Sequence, residues 1–257
     1  MPDRENKTLP AGLEIQPVTL DRWPPMEALF ETSPVMSSCW CMSPRTRAKD
    51  FSRFGSEARR RNRESMHGLI ASGTVPGLLA YVEGRPAGWI SVGPRESFAR
   101  LQHSPALRPV DDLPVWSIVC FYSEPAYRRQ GMTRALIRAA VQYAADQGAA
   151  AVEAYPVAAW GDKTGPGDAY TGMASTFQAL GFRDVGTGGR SRGLQFRGFN
   201  RVRVGRGQVR HALGQPFGAE GEQGVHASSP KPGSSGSLRR ARATCQAWMT
   251  SFRRPMG

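Results

Sequence analysis

Two arginines and a glycine stand directly before a stretch of helical periodicity, in residues 128–133 with the sequence RRQGMT. Glycine lets a ligand approach the backbone closely. The free N–H groups and the dipole of a helix N-terminus favour an anion, and guanidinium groups match the geometry of phosphate. The segment therefore predicts a phosphate site, although a tight turn with solvated arginines would use the same residues.

A buried strand and an amphipathic helix are predicted on the two sides of this segment. Residues 115–123 form a near-continuous apolar run that is typical of a strand buried on both faces, and Pro125 ends that run. Gly148 suits the C-terminal end of the following helix. The apolar residues of that helix recur at helical spacing: Met132, Leu136, Ala139, Ala140 and Tyr143.

Two common nucleotide-binding motifs are missing from this strand–helix segment. It contains neither the GxxxxGK[ST] pattern of a phosphate-binding loop nor the GxGxxG pattern of a dinucleotide fold. The pattern therefore disfavours a nucleotide triphosphatase and a Rossmann-type enzyme.

The arrangement Arg128-x-x-Gly131-x-Thr133, placed between a strand and a helix, resembles the acetyl-CoA signature of the GNAT family of N-acetyltransferases. That signature has Arg or Gln, two residues, Gly, one residue, and then Gly or Ala, so Thr133 departs from its last position. The resemblance covers residues 13–197 and is sharpest over 77–185. It extends to a bacterial subgroup with a CWCM-like segment, here residues 39–42, and a YTG segment, here residues 170–172.

This resemblance implies an α/β fold: a GNAT-like mixed, mainly antiparallel central sheet flanked by helices. We expect a single domain over residues 11–198, after a flexible N-terminus of residues 1–10. Residues 199–257 are rich in Gly, Ser, Pro and Arg, and this composition predicts a disordered basic tail.

The resemblance further implies an acetyl-CoA-dependent N-acetyltransferase that transfers the acetyl group directly to a primary amine. The acceptor is unidentified, a small molecule is favoured, and no metal is expected. A backbone N–H within Cys120–Tyr122, where the strand splays from its neighbour, would polarise the thioester carbonyl, and the N–H groups of the turn would bind the pyrophosphate. The implied acetyl-CoA residues are Cys120, Phe121, Tyr122, Arg128, Arg129, Gln130, Gly131, Met132 and Thr133.

The general base is not fixed by any motif. Glu153 is the preferred candidate because it alternates with apolar neighbours on a predicted strand and would face the cleft, although an exposed strand residue would look the same. Water is an alternative proton relay. The other carboxylates near the site in sequence are Glu124, Asp111 and Asp112.

The general acid departs from the family pattern. Family members often have a tyrosine four residues before the Gly-Phe pair that ends the last helix, and here that position is Phe177. Tyr170, at the start of the same predicted helix, is the substitute by residue type. The alternative for Tyr170 is a half-buried ring with its hydroxyl in water.

Four cysteines, at positions 39, 41, 120 and 245, do not form a dense disulfide framework, so a reducing, cytoplasmic setting is predicted. A zinc site is disfavoured because no CxxC or HxxxH partner accompanies Cys39 and Cys41. Trp40 and Met42 are expected to pack in the core or to line the acceptor side of a pocket. Cys120 is interpreted as a core residue rather than an acyl-carrying nucleophile.

The net charge of +13 falls unevenly along the chain. Residues 199–257 hold ten Lys and Arg against two Glu, a net +8, so nucleic-acid binding would depend on the tail and is disfavoured. A non-catalytic acyl-CoA-binding protein is the other alternative, because Phe177 cannot donate a proton.

No apolar run is long enough to span a membrane, and residues 1–10 lack the apolar core of a secretory signal. Homodimers are common in the resembled family.

Hydrophobic periodicity predicts the remaining elements. Six further strands are expected, at residues 13–18, 77–82, 87–92, 149–157, 182–185 and 194–196. Helices are expected at residues 26–31, 54–72 and 170–180. The connection over residues 94–114 is long for a compact domain, and this length is typical of functional loops.

Overall fold

A seven-stranded sheet forms the centre of the computed structural model, which describes residues 9–157, 170–186 and 195–199. These residues all lie within the first of the two units into which the chain divides, Met1–Gly214 and Gln215–Gly257. The strands are Leu13–Pro17 (β1), Gly77–Val82 (β2), Arg85–Pro94 (β3), Val115–Ser123 (β4), Ala151–Ala154 (β5), Arg183–Asp184 (β6) and Phe196–Phe199 (β7). The helices are Trp23–Glu31 (α1), Pro34–Cys39 (α2), Ser56–Ala71 (α3), Ala99–Gln102 (α4), Met132–Asp146 (α5) and Ala174–Ala179 (α6).

The sheet is mixed and mainly antiparallel. Its strand order is β1-β2-β3-β4-β5-β7-β6, and every neighbouring pair is antiparallel except β4 with β5. Helix α5 connects these two parallel strands, as a crossover between parallel strands requires. The predicted fold class is therefore confirmed.

Alternation along the strands divides the core between the two faces of the sheet. In β3, Trp89 packs in the cluster that contains α1, α2 and α3, whereas its neighbour Ile90 packs in the cluster that contains α5 and α6. Successive strand residues point to opposite faces, so the helices cover both sides.

A β-bulge interrupts this alternation in β4. Cys120 pairs with Ser91 and Ile118 pairs with Val92, so Val119 is an extra residue on β4. Val119 and Cys120 consequently belong to the same cluster, on the side of α1, α2 and α3, while Ile118 and Phe121 belong to the other. Bulges of this kind re-aim side chains and are frequent next to functional sites.

Strands β4 and β5 separate beyond this bulge. Their parallel pairing ends at Ile118 with Ala154. The chain after β5 then turns to the YTG segment, where the Val157 N–H donates to the Gly172 carbonyl at 2.9 Å and Val157 forms a bridge with Met173. Within the described part of the chain, no strand pairs with the β5 side of residues 119–123. The splayed strand that the resemblance implied is thus present.

Most predicted elements lie within a few residues of the observed ones, with one correction that bears on the site. The helix expected over residues 170–180 begins at Ala174, because Tyr170 and Thr171 lie in a 3-10 turn before it. Residues 158–169 lie outside the described residues, as do residues 200–257, which contain all but the first residue of the predicted tail. Among the helices described, none is both long and apolar enough to cross a membrane.

Candidate active site

The N-terminal turn of α5 is positioned to receive an anion. Gly131 is the N-cap residue with φ 80°, a conformation that favours glycine, and no side chain caps the turn. The Arg128 Nε donates to the Ser123 carbonyl at 3.2 Å, which holds its guanidinium beside the carboxyl end of β4. Arg128 and Arg129 are exposed and form no ion pair within the described residues. The predicted turn residues therefore lie together at an uncapped helix N-terminus, beside two exposed guanidinium groups.

The predicted thioester-binding residues lie on β4 directly before this turn. Cys120, Phe121 and Tyr122 are all buried. They occupy the part of the strand where β5 has diverged, so the backbone on that side is available to a ligand. A linear path therefore runs from the α5 turn along β4 toward the bulge at Val119.

A cavity of about 270 Å³ opens at the bulge, on the face of the sheet that carries α1, α2 and α3. We call it the central cavity. Its walls are mainly apolar and aromatic, and they come from α2, β4, the connection before β4 and the YTG segment. Six of its lining residues are Met36, Cys39, Val119, Cys120, Tyr155 and Tyr170.

Tyr170 lies at the wall of the central cavity next to the bulged part of β4. Burial raises the pKa of its hydroxyl above the ordinary value, against a lowering effect of a hydrogen bond with Ser33, and Cys120 and Tyr122 are close enough to influence it. A tyrosine in these surroundings remains protonated at neutral pH and can donate a proton.

Phe177 is a core residue. It is fully buried, with ring centroids 6.0 Å from Phe121 and 5.1 Å from Phe182. Gly172, with φ 82°, allows this packing, because a Cβ at that position would lie 2.9 Å from Phe177 and 3.2 Å from Phe121. The position that often holds a tyrosine in the resembled family therefore supports the YTG segment here.

Glu153 lies in a buried ionic network rather than in the cleft. Its carboxylate is 1% exposed and accepts hydrogen bonds from Arg197 at 2.6 Å, Gln195 at 2.8 Å, and both Arg95 and Tyr155 at 3.2 Å. The buried guanidinium groups of Arg95 and Arg197 donate to both oxygens of the carboxylate. This arrangement argues against the predicted role of general base and favours a structural role that ties β5 to β7.

We expect Glu153→Gln to destabilise the fold. Removing the charge would leave Arg95 and Arg197 facing each other without their shared counter-ion, at a cost of about 3 kcal/mol. For a domain of this size that loss lowers Tm by about 6–12 °C in a thermal unfolding experiment. Glu124→Gln, at a half-buried carboxylate without a side-chain partner in the described residues, is the control and should change Tm little. An unchanged Tm in Glu153→Gln, with kcat lowered about a hundredfold or more, would instead support the base.

Asp111 belongs to the edge of the same network. The Arg197 guanidinium donates to its carboxylate at 2.6 and 3.1 Å, and this hydrogen bonding lowers the pKa of Asp111 below its usual range. A carboxylate with a lowered pKa is a weak base. Asp112 is exposed, and neither aspartate lines the central cavity.

Three thiols approach one another around the central cavity. Burial raises the pKa of Cys39 to about 11 and raises that of Cys41, whose Sγ accepts a hydrogen bond from the Trp89 indole at 3.1 Å. Cys41 and Cys120 are near enough to interact through their side chains. In the described part of the chain no group of His, Cys, Asp and Glu residues is suited to a metal ion.

The CWCM-like segment divides between core and cavity. Trp40 is 2% exposed and stacks on Trp23 with ring centroids 5.4 Å apart, so it is a packing residue as expected. Trp40 and Cys41 both have φ 50°, which is uncommon for residues other than glycine. This left-handed turn brings Cys39 and Cys41 to the wall of the cavity, while Met42 packs against the core.

Several residues of the site were missed by the sequence interpretation. Tyr155, Arg95 and Arg100 come from segments that were recognised only as a strand end and a long connection. The Tyr155 hydroxyl bonds to Ser117 at 2.9 Å and is contacted by Arg95, and burial raises its pKa. The unusual length of the connection over residues 94–114 was the available signal, since it supplies both arginines.

One family model matches part of the chain. Residues 40–162 match the model of the Acetyltransferase (GNAT) family, which confirms the predicted resemblance. No curated protein matches the chain.

Solved structures with a similar fold have low sequence identity. A protein from Corynebacterium glutamicum, titled histone acetyltransferase HPA2 and related acetyltransferase, is 17% identical, with a TM-score of 0.45 over 72% of this chain and 95% of that one. The PaiA N-acetyltransferase of Thermoplasma acidophilum, solved with coenzyme A, is 13% identical, with a TM-score of 0.41 over 73% and 98%. The polyamine N-acetyltransferase of Drosophila melanogaster is 12% identical, with a TM-score of 0.43 over 73% and 99%.

Proposed function

Because the chain carries a GNAT acetyltransferase domain in residues 40–162, we propose that it transfers an acetyl group from acetyl-CoA directly to a primary amine of a small molecule. One observation carries this proposal. The uncapped N-terminal turn of α5 follows the open segment of β4, and residues of that segment line a cavity whose wall includes Tyr170. This arrangement has a phosphate site at one end and a proton donor at the other.

The turn at residues 128–133 would bind the pyrophosphate of acetyl-CoA through its free N–H groups and through Arg128 and Arg129. A backbone N–H group of Cys120, Phe121 or Tyr122 that faces the open side of β4 would polarise the thioester carbonyl. Such a fixed donor typically contributes a few kcal/mol to catalysis. The amine nitrogen attacks the carbonyl carbon, the carbon–sulfur bond breaks, and Tyr170 protonates the departing thiolate.

The proton of the amine has no evident protein acceptor. No carboxylate or imidazole among the described residues lines the central cavity, so we propose that the amine enters uncharged and that water receives the proton that its nitrogen loses on acylation. The value of kcat/KM should then rise with pH until the acceptor amine is deprotonated.

If the acetyl group is transferred directly, without an acyl-enzyme intermediate, the Cys120 thiol is not needed for the chemical step. Cys120→Ala should retain kcat within about threefold of the wild type, because the residue serves as a small apolar core group. Intact mass spectrometry of the wild type with acetyl-CoA and no acceptor should show no added acetyl group. An acetylated protein whose modification disappears in Cys120→Ala, together with loss of turnover, would indicate a two-step mechanism instead.

The proposed function is tested by incubating the protein with acetyl-CoA and a panel of small amines, with detection of free CoA thiol and of the acetylated amine by mass spectrometry. Acetylated product that depends on the protein supports the proposal. A folded protein that binds acetyl-CoA but acetylates no amine would favour the alternative of a non-catalytic acyl-CoA-binding protein. Cytoplasmic location and a homodimer remain predictions.

A further inference from the structure

The charge of the central cavity restricts the amine that it can accept. Fifteen described residues line the cavity, and none of them is Asp, Glu, Lys or His. A polyamine or another polycation would therefore bury positive charge without a counter-charge from these residues, which is strongly unfavourable. The lining instead offers apolar side chains, two tyrosines and three thiols.

Two arginines, Arg53 and Arg100, are the charged residues of this described lining. The Arg100 Nε donates to the Ser43 carbonyl at 2.8 Å, and its guanidinium lies over the Phe51 ring at 5.8 Å. These contacts fix the group but use only one of its nitrogens. In the described part of the chain its two terminal NH2 groups have no hydrogen-bond partner and no ion pair.

Arg53 adds a second positive charge near the same wall. Its guanidinium lies over the ring of Phe54 at 5.5 Å, and it is close enough to Cys39 to influence that thiol. Arg53 is exposed and forms no ion pair within the described residues. A planar guanidinium with two free NH2 groups is suited to a carboxylate, which it can bind through two parallel hydrogen bonds.

The cavity therefore has two chemically different regions beside an apolar body. Tyr170 and the open backbone of β4 belong to the proposed transfer, whereas Arg100 and Arg53 contribute the positive charge of the wall. The volume of about 270 Å³ is small among ligand sites, which typically measure about 300–1,000 Å³. A compact acceptor fits this volume better than a polymer.

Building on the proposed function, we propose that the acceptor is a small amino carboxylate with an apolar or aromatic side chain, such as a free apolar amino acid. Its carboxylate binds Arg100, with Arg53 adding positive charge. Its side chain contacts the apolar wall, and its amine faces the thioester.

The test compares each amino acid with the amine that lacks only the carboxylate: L-phenylalanine with phenethylamine, and L-leucine with isopentylamine. Spermidine represents the polycations. We expect kcat/KM to be at least about tenfold higher for each amino acid than for its decarboxylated partner, because the guanidinium is otherwise left without its anion. A preference for spermidine or for either decarboxylated amine would overturn the inference.

Variants of Arg100 separate recognition from folding. Arg100→Gln should raise KM for L-phenylalanine about tenfold or more while leaving KM for acetyl-CoA and for phenethylamine unchanged. Arg100→Lys should recover part of the loss. Arg108→Gln, at an exposed arginine of the same connection outside the cavity, is the control and should behave as the wild type. Equal effects of Arg100→Gln on both acceptors would contradict carboxylate recognition.

Calorimetry of L-phenylalanine and phenethylamine with the protein saturated with CoA tests recognition without turnover. Stronger binding of L-phenylalanine by the wild type than by Arg100→Gln supports the inference even if no amine is acetylated, in which case only the proposed transfer fails. If other amines are acetylated but L-phenylalanine does not bind, the proposed transfer stands and the inference about the acceptor is overturned.

Discussion

Tyr170→Phe should lower kcat about a hundredfold or more while leaving KM for acetyl-CoA within about threefold of the wild type. The substitution removes one oxygen from the wall of the central cavity and keeps the ring that packs there. Without the hydroxyl, the departing thiolate has no fixed proton donor. The effect therefore falls on the chemical step rather than on binding.

The pH profile gives a second, independent measure of the same role. Burial raises the pKa of Tyr170 above its ordinary value of 10.0, so the protonated form that donates persists through neutral pH. Wild-type kcat should remain level across neutral pH and fall only above about pH 10, as the tyrosine ionises. This alkaline fall should be absent from the residual activity of Tyr170→Phe.

Tyr143→Phe is the matched control for this experiment. Tyr143 is half-buried on α5, where its ring packs edge-on against Trp116 at 5.8 Å, and burial also raises its pKa. It does not line the cavity, so its hydroxyl should be irrelevant to kcat. If Tyr170→Phe and Tyr143→Phe both change kcat only slightly, Tyr170 is not the proton donor.

The strand–turn–helix centre of the fold could be predicted because its signals are local. A continuous apolar run gave the bounds of β4, and the change of period at Gly131 gave the start of α5. The bulge at Val119 could not be predicted, because the extra residue is an ordinary valine within that run. It becomes visible only from the pairing of β4 with β3.

The surroundings of Glu153 could not be predicted from the local sequence pattern. Alternation on β5 fits a residue in the cleft and a buried residue equally well. The partners that decide between them, Arg95 and Arg197, lie 58 and 44 positions away in the chain. Only the pairing of β5 with β7 and the position of Arg95 directly after β3 bring these charges together.

Residue type alone favours Tyr170 as the proton donor, because Phe177 has no hydroxyl group. The structure places Tyr170 at the cavity wall through a different local conformation, since the helix begins four residues later than predicted. The conformation of the CWCM-like segment likewise could not be predicted from the sequence. Its left-handed turn determines which side chains reach the cavity and which reach the core.

Gly131→Glu should abolish measurable binding of acetyl-CoA. At this N-cap position a carboxylate would occupy the space where the turn receives an anion and would repel the pyrophosphate. The positive φ adds backbone strain of about 1–3 kcal/mol for any residue other than glycine. A control must therefore reproduce that strain elsewhere.

Gly148→Glu provides this control at the opposite end of the same helix. Gly148 has φ 82° and is exposed, and a Cβ added there would meet no atom of a non-neighbouring residue within 4 Å. The substitution adds the same charge and a similar strain far from the turn. Its thermal stability should match that of Gly131→Glu, while its affinity for acetyl-CoA should equal that of the wild type.

Calorimetric titration of acetyl-CoA into the wild type, Gly131→Glu and Gly148→Glu tests the central claim most directly. We expect binding by the wild type and by Gly148→Glu, and at least about a hundredfold weaker binding by Gly131→Glu. No binding by a folded wild type, or equal binding by all three proteins, would contradict an acetyl-CoA site at the N-terminal turn of α5.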